Sequence, residues 1–176
     1  ETCAKRTAGC TAACLNLAGR GGMFKKGEST NAIQQARIRK TKMFFENRVE
    51  FMTTLVKDIE LGIKQSARLG LIPVFRLNGT SDLAFEKYEV VRNGKLFRNI
   101  FAAFPEVTFY DYTKIPNRRN IPANYDLTFS YSGVPAFAPF VQMALNNGMR
   151  IAAVFRHKED INAMISNGVK FLGRDI

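Results

Sequence analysis

LIPVFRL, residues 71–77, runs directly into NGTSD, residues 78–82, and this junction decides the fold. Seven mostly apolar residues are too few for a helix, and the polar string ends the run at once. The pattern reads as a buried strand followed by its carboxyl-end loop. The same signature recurs downstream. Residues 106–110 (EVTFY) lead into Asp111-Tyr112-Thr113-Lys114, residues 125–129 into Ser130-Tyr131-Ser132-Gly133, and residues 149–155 into Arg156-His157-Lys158. Residues 169–172 form a last candidate strand before Gly173.

Between these runs the apolar period lengthens. From 48 to 69, Val49, Met52, Leu55, Val56, Ile59 and Ile63 recur at steps of three and four, an amphipathic helix stopped by Gly70. Ahead of it, Ser29-Thr30 is the expected N-cap of a helix over 31–45, with Ile33, Ala36, Ile38, Phe44 and Phe45 on its apolar side. Residues 83–104 hold a polar interruption at Arg92-Asn93-Gly94, then an expected helix with Leu96, Ile100 and Phe104 toward the core, ending at Pro105. A helix over 138–146 ends at Gly148, and a short one stops at Gly168.

Strand alternating with helix or long loop predicts parallel strands joined by right-handed crossovers. The fold class is therefore α/β. A single domain is expected over 1–176, divided into a Cys/Gly-rich loop (1–28) and the alternating helices and strands (29–176). In such sheets the chemistry collects at the carboxyl ends of the strands, where the loops converge. That rule selects Arg76, Asn78, Asp82, Asp111, Thr113, Lys114, Ser130 and Ser132, with Arg156 and His157 behind them. The plainer use of Asn-Gly and Ser-Asp is as turn and cap residues.

Charge and thiols concentrate in front of this body. Of a formal net charge of +11, residues 1–42 contribute +7, through nine Lys/Arg against Glu1 and Glu28. Such a basic end attracts nucleic acid, phosphate-bearing cofactors or simply water. Cys3, Cys10 and Cys14, the only cysteines in 176 residues, are spaced C-x6-C-x3-C among small residues. Three uses of them stand open: a three-thiolate iron–sulfur cluster, a zinc site completed by His157, and thiols without a metal. Zinc knuckles use a shorter first spacing, and a cluster larger than one ion tolerates the wider one. An odd cysteine count disfavours a secreted disulfide scaffold. No apolar run reaches membrane-spanning length and no signal-peptide pattern opens the chain, so a soluble, cytoplasmic protein is expected, without membrane contact.

C-x6-C-x3-CL followed by AGRGG, then RLNGTSD, FYDYTK and NYDLTFS in that order, resembles a family of uncharacterised bacteriophage-encoded proteins over most of residues 3–155. That family is itself similar to radical S-adenosylmethionine (SAM) proteins, whose usual cysteine spacing is C-x3-C-x2-C. The resemblance implies a partial (β/α) barrel whose first strand is missing, since only Glu1 and Thr2 precede Cys3; either the chain has been cut or this copy does without it. It implies a 4Fe-4S cluster held by Cys3, Cys10 and Cys14, with SAM on the open iron. Arg76, Asn78 and Asp82 would contact SAM or substrate, Arg76 by a carboxylate-binding fork and Asp82 through ribose hydroxyls or an amino group. Asp111, Thr113, Lys114, Ser130 and Ser132 would line the next two strand ends. A phage origin implies the cytoplasm of a bacterial host. The expected activity is SAM cleavage acting on a nucleotide-like or phosphate-bearing small molecule. The alternative is a zinc- or cluster-stapled basic module that binds nucleic acid through its N-terminal region without catalysis.

Overall fold

The computed structural model describes residues 2–176. The chain enters through a short helix α1 (Ala8–Ala12) and two 3-10 turns (Leu15–Leu17 and Gly19–Gly22), then forms α2 (Ala32–Glu46) and α3 (Arg48–Arg68). Strand β1 (Val74–Phe75) is followed by the hairpin β2 (Val90–Arg92) and β3 (Lys95–Phe97) and by α4 (Ile100–Ala103). Then come β4 (Thr108–Thr113), β5 (Tyr125–Ser130), α5 (Ala138–Asn146), β6 (Arg150–Ala152) and α6 (Lys158–Ser166).

The α/β class holds, with helices alternating along a parallel sheet. Four strands pair in the order β1-β4-β5-β6, and every pairing is parallel. Neighbours in the sheet follow one another in the chain apart from the β2–β3 hairpin, so the sheet grows in one direction. Burial alternates along β4: Phe109, Asp111 and Thr113 point into the covered face, and Thr108, Tyr110 and Tyr112 lie on the exposed one. In β5, Tyr125, Leu127 and Phe129 are buried and the residues between them half-buried.

The larger core forms where α3 brings Met52, Val56 and Ile59 against Phe85, Val90, Ile100, Phe101, Phe104 and Phe109. Gly62 lets α3 lie close on β1, because a Cβ there would come within 2.7 Å of the Phe75 ring. Phe101 stacks on Tyr125 at 4.1 Å between centroids and meets Phe109 edge-on at 5.0 Å. A smaller core joins Val141 and Ala144 of α5 to Phe129.

Several expectations need correction. Residues 71–77 do not form a buried strand: only Val74–Phe75 pairs, at the sheet edge, and Leu71, Ile72 and Val74 are exposed, because nothing among the described residues covers that side. The expected helix after Arg92 gives way to the antiparallel hairpin. Asn93 and Gly94 both take positive φ (52° and 74°), the geometry that a tight two-residue turn requires, so Leu96 becomes an exposed strand residue and the helix shrinks to α4. The cap of α2 is Asn31, whose Oδ1 accepts from Gln34 N, rather than Ser29-Thr30. On α2 the buried residues are Gln34 and Phe44, while Ile33, Ile38 and Phe45 are exposed, since the N-terminal turns cover the polar side instead. Within the cysteine segment Cys10 lies in α1, Cys3 precedes it, and Cys14 is the N-cap of the first 3-10 turn. Residues 169–172 make only an isolated bridge, Phe171 with Arg174. The ends of α3 and α5 fall where the sequence places them, with Gly70 and Gly148 just past the caps at φ 66° and 71°.

Candidate functional site

The N-terminal turns lie over the carboxyl ends of β1, β4 and β5. Asp82 N donates to Thr2 O at 2.7 Å, and the Cys3 thiol donates to Thr80 O at 3.8 Å. Thr7 caps α1: its hydroxyl oxygen accepts from Cys10 N and its O–H donates to Cys10 Sγ, each at 3.1 Å. Asn16 N donates to Cys14 Sγ at 3.4 Å. All three thiols line one cavity of about 810 Å³, together with Arg76, Asn78 and Ser130 from the strand ends and Arg37 and Thr41 from α2. A smaller adjoining space of about 130 Å³ is lined by Cys3, Cys10, Asp82, Thr113, Lys114 and Ser130.

Of the eleven chosen residues, Cys3, Cys10, Cys14, Arg76, Asn78, Asp82, Thr113, Lys114 and Ser130 line these two spaces. Asp111 and Ser132 do not. Asp111 and Thr113 lie inside β4 on its covered face, since the strand continues through the polar residues expected to end it. The Ser132 hydroxyl accepts from Val134 N at 3.4 Å in the following turn. Arg156 and His157 fall well beyond the end of β6; His157 is the exposed N-cap position of α6 and lines neither space.

Asp111 organises the floor beneath the site. Its carboxylate accepts from Asn78 N at 2.9 Å, Asn78 Nδ2 at 3.2 Å and the Tyr125 hydroxyl at 3.1 Å, with Arg76 Nε at 3.7 Å. Burial raises its pKa above the ordinary carboxylate value, against these hydrogen bonds and Arg76, which lower it. Burial likewise raises Tyr125, helped by the charge of Asp111. Asn78 turns the chain after β1: its Oδ1 accepts from Leu83 N and Ser81 Oγ, and its Nδ2 donates to Leu83 O.

Asp82 and Lys114 join the strand ends to the thiols. Asp82 Oδ2 accepts from Lys114 N at 2.9 Å, and Lys114 Nζ donates to Ser130 O at 2.8 Å and Ser130 Oγ at 3.3 Å. Burial raises the Cys10 thiol, but the Thr7 hydrogen bonds and the Lys114 ammonium outweigh it, and the net shift is downward. Cys3 shifts upward, through burial first and then the charges of Asp82, Cys14 and Cys10. The three sulfurs are near enough to feel one another. Even so, among the described residues no group of three or more His, Cys, Asp or Glu is placed to hold a metal ion.

Sequence reasoning missed Arg118, which lies in a Pro/Asn/Arg-rich segment that reads as solvated loop. It is buried, with its fork on Glu86 (Nε–Oε1 2.8 Å, Nη2–Oε2 2.5 Å) and its Nη1 3.5 Å from Asp82 Oδ1. The Glu86 hydrogen bond and the charges of Tyr125 and Glu86 outweigh its burial and raise its pKa. Arg37 is one of the nine basic residues of segment 1–42. Its Nη1 donates to Asn16 O at 2.8 Å and Asn16 Oδ1 at 2.9 Å, holding the turn after Cys14. No local signal marks either residue, because their partners come from distant segments.

A family model described as Gene product 88 matches residues 1–175. No curated protein and no solved structure gives a significant match. No helix among the described residues is long and apolar enough to cross a membrane.

Proposed function

This chain belongs to the Gene product 88 family, and on that premise we propose that it is an iron–sulfur protein of radical-SAM type. Cys3, Cys10 and Cys14 hold a 4Fe-4S cluster, and S-adenosylmethionine binds beside it at the strand ends to act on a nucleotide-like or phosphate-bearing substrate. The observation that carries this reading is the shared cavity: three thiols spread over twelve residues of chain line one space with Arg76, Asn78 and Ser130.

The donor set suits the group. The three cysteines line one cavity, and thiolates are the ligands that iron–sulfur clusters use. None of the described residues lining that cavity is His, Asp or Glu, so a cluster held there would draw its ligands from the three cysteines. Ligation needs thiolates, and Lys114 with Thr7 favours that form at Cys10. When bound, the reduced cluster supplies the electron that cleaves SAM. Arg76 presents a guanidinium fork for a carboxylate. Lys114 holds the ends of β4 and β5 together, and Asp82 ties that junction to Thr2.

Purification without oxygen, followed by iron and sulfide analysis, tests the proposal. The expected product is brown, with about four irons per chain, lost in Cys10→Ser. Incubation with SAM and dithionite should then release 5′-deoxyadenosine. A colourless protein carrying one zinc overturns the cluster, and iron without SAM cleavage overturns the radical chemistry.

A further inference from the structure

Behind the thiols the cavity opens into a second lobe of about 400 Å³, reached past Thr2, Leu15, Arg37, Thr41, Arg76 and Thr80, which line both spaces. Its inner wall is apolar: Phe51, Leu77 and Leu83 are half-buried, and the core residues Phe44 and Phe85, each 2% exposed, close it from behind. Phe51 and Phe85 lie nearly parallel, 16° apart with centroids at 6.3 Å. Three cations, Arg37, Lys40 and Arg76, stand among its lining residues, and Arg6 and Lys42 join them around the thiol space. None of the described residues lining either lobe is acidic.

That combination selects a ligand class. Asp111 stands 3.7 Å from Arg76 and Asp58 3.8 Å from Lys40, so Arg37 and the excess of cations in the lining are what draw an anion. Arginine forks prefer planar or tetrahedral oxyanions, phosphate above all. The half-buried Phe51, with Leu77 and Leu83 beside it, adds stacking and apolar contact for a flat ring. The hydroxyls of Thr41, Thr80 and Ser81 stand where a ring edge or sugar needs partners. Simple phosphate leaves the wall unused, and an uncharged apolar molecule leaves the cations unused.

We propose that this lobe binds the base of a nucleoside monophosphate, with its phosphate held between Arg37 and Arg76 at the mouth shared with the thiol space. The inference rests on the nucleotide-like substrate of the reading above and names the part of the site that recognises it. It places the sugar between base and phosphate at that shared mouth, facing the thiols.

Calorimetric titration of the metal-free chain with the four ribonucleoside 5′-monophosphates, their nucleosides, inorganic phosphate and a short single-stranded oligonucleotide tests it. At least one monophosphate should bind about tenfold or more tightly than its nucleoside or phosphate alone. Thr41→Trp, which fills the lobe from an exposed helix position, and Arg37→Gln should each weaken that binding about tenfold or more. The thermal midpoint of Thr41→Trp should stay at the parent value, which separates a blocked lobe from an unfolded chain. Because the titration uses the metal-free chain, loss of iron and loss of nucleotide are read separately. The proposal is overturned if no monophosphate binds, if Thr41→Trp binds as tightly as the parent, if phosphate alone binds equally well, or if only the oligonucleotide binds.

Discussion

The segment that carries the thiols and the body it rests on are held by different forces. Between residues 2 and 31 only Gly21 is buried, and α1 buries no residue. Polar bonds dock this segment: Thr2 O to Asp82 N, Asn16 to Gln34 and Arg37, Gln34 Nε2 to Gly21 O at 2.8 Å, and Asn31 Nδ2 to the carbonyls of Arg20, Gly21 and Met23. In the body, Phe44, Phe101, Phe104, Phe109 and Phe129 are 2% exposed or less. Partly exposed hydrogen bonds contribute about 1 kcal/mol each, whereas a buried aromatic contributes several. The body can therefore fold without its lid, and a group bound to the thiols should order the segment that binds it.

Phe109→Ala gives the sharpest break. It opens a hole beneath Phe101 and Phe75 and should cost about 3–5 kcal/mol, seen as a lower urea midpoint for body and segment together. Arg118→Met comes next. It strands Glu86 and Asp82 in a buried place, with a loss of roughly 3 kcal/mol, and frees the Asp82 junction, so fluorescence or exchange probes near Thr2 should respond as well. If that segment stays fully protected, its docking does not pass through Asp82.

Asp111→Asn reads the pH dependence of the floor. Asp111's raised pKa means that the native state holds this proton more tightly than the unfolded chain. The stabilisation is full below the ordinary value near 3.8 and is lost as pH rises through the folded value. Relative to the neutral variant, the parent should thus lose stability as pH rises above the ordinary value near 3.8, measured as diverging urea midpoints. A constant difference across that range contradicts the shift. Gln34→Ala is the smallest and most local: about 1–2 kcal/mol, with faster amide exchange over 15–22 and unchanged exchange in β4. A global loss would show that segment and body are one cooperative unit.

Much of the body was legible from residues 48–70 and 138–148, where period, cap and terminal glycine agree. The hairpin at Asn93-Gly94 was legible too, because that dipeptide is the strongest short signal for such a turn and outweighs the helical spacing of Leu96, Ile100 and Phe104 after it. Of the candidate site, Arg76, Asp82, Lys114 and Ser130 followed from the rule that polar residues after a strand face the site, and the thiols from their close spacing in the chain. Asp111 broke the rule: polarity marked the end of the strand in sequence, but a buried aspartate can continue one when Asn78, Tyr125 and Arg76 supply its partners.

Sequence alone determined the alternation of helix and strand, the parallel class and the grouping of three thiols at one end, since period, capping and spacing act within a few residues of chain. Only the tertiary structure decided that Leu71–Val74 lies at an open edge, that Arg118 is buried on Glu86, and that the thiols share a cavity with residues about sixty to one hundred and thirty positions away. Burial and charge pairing depend on what arrives from elsewhere in the chain, and no local pattern records that.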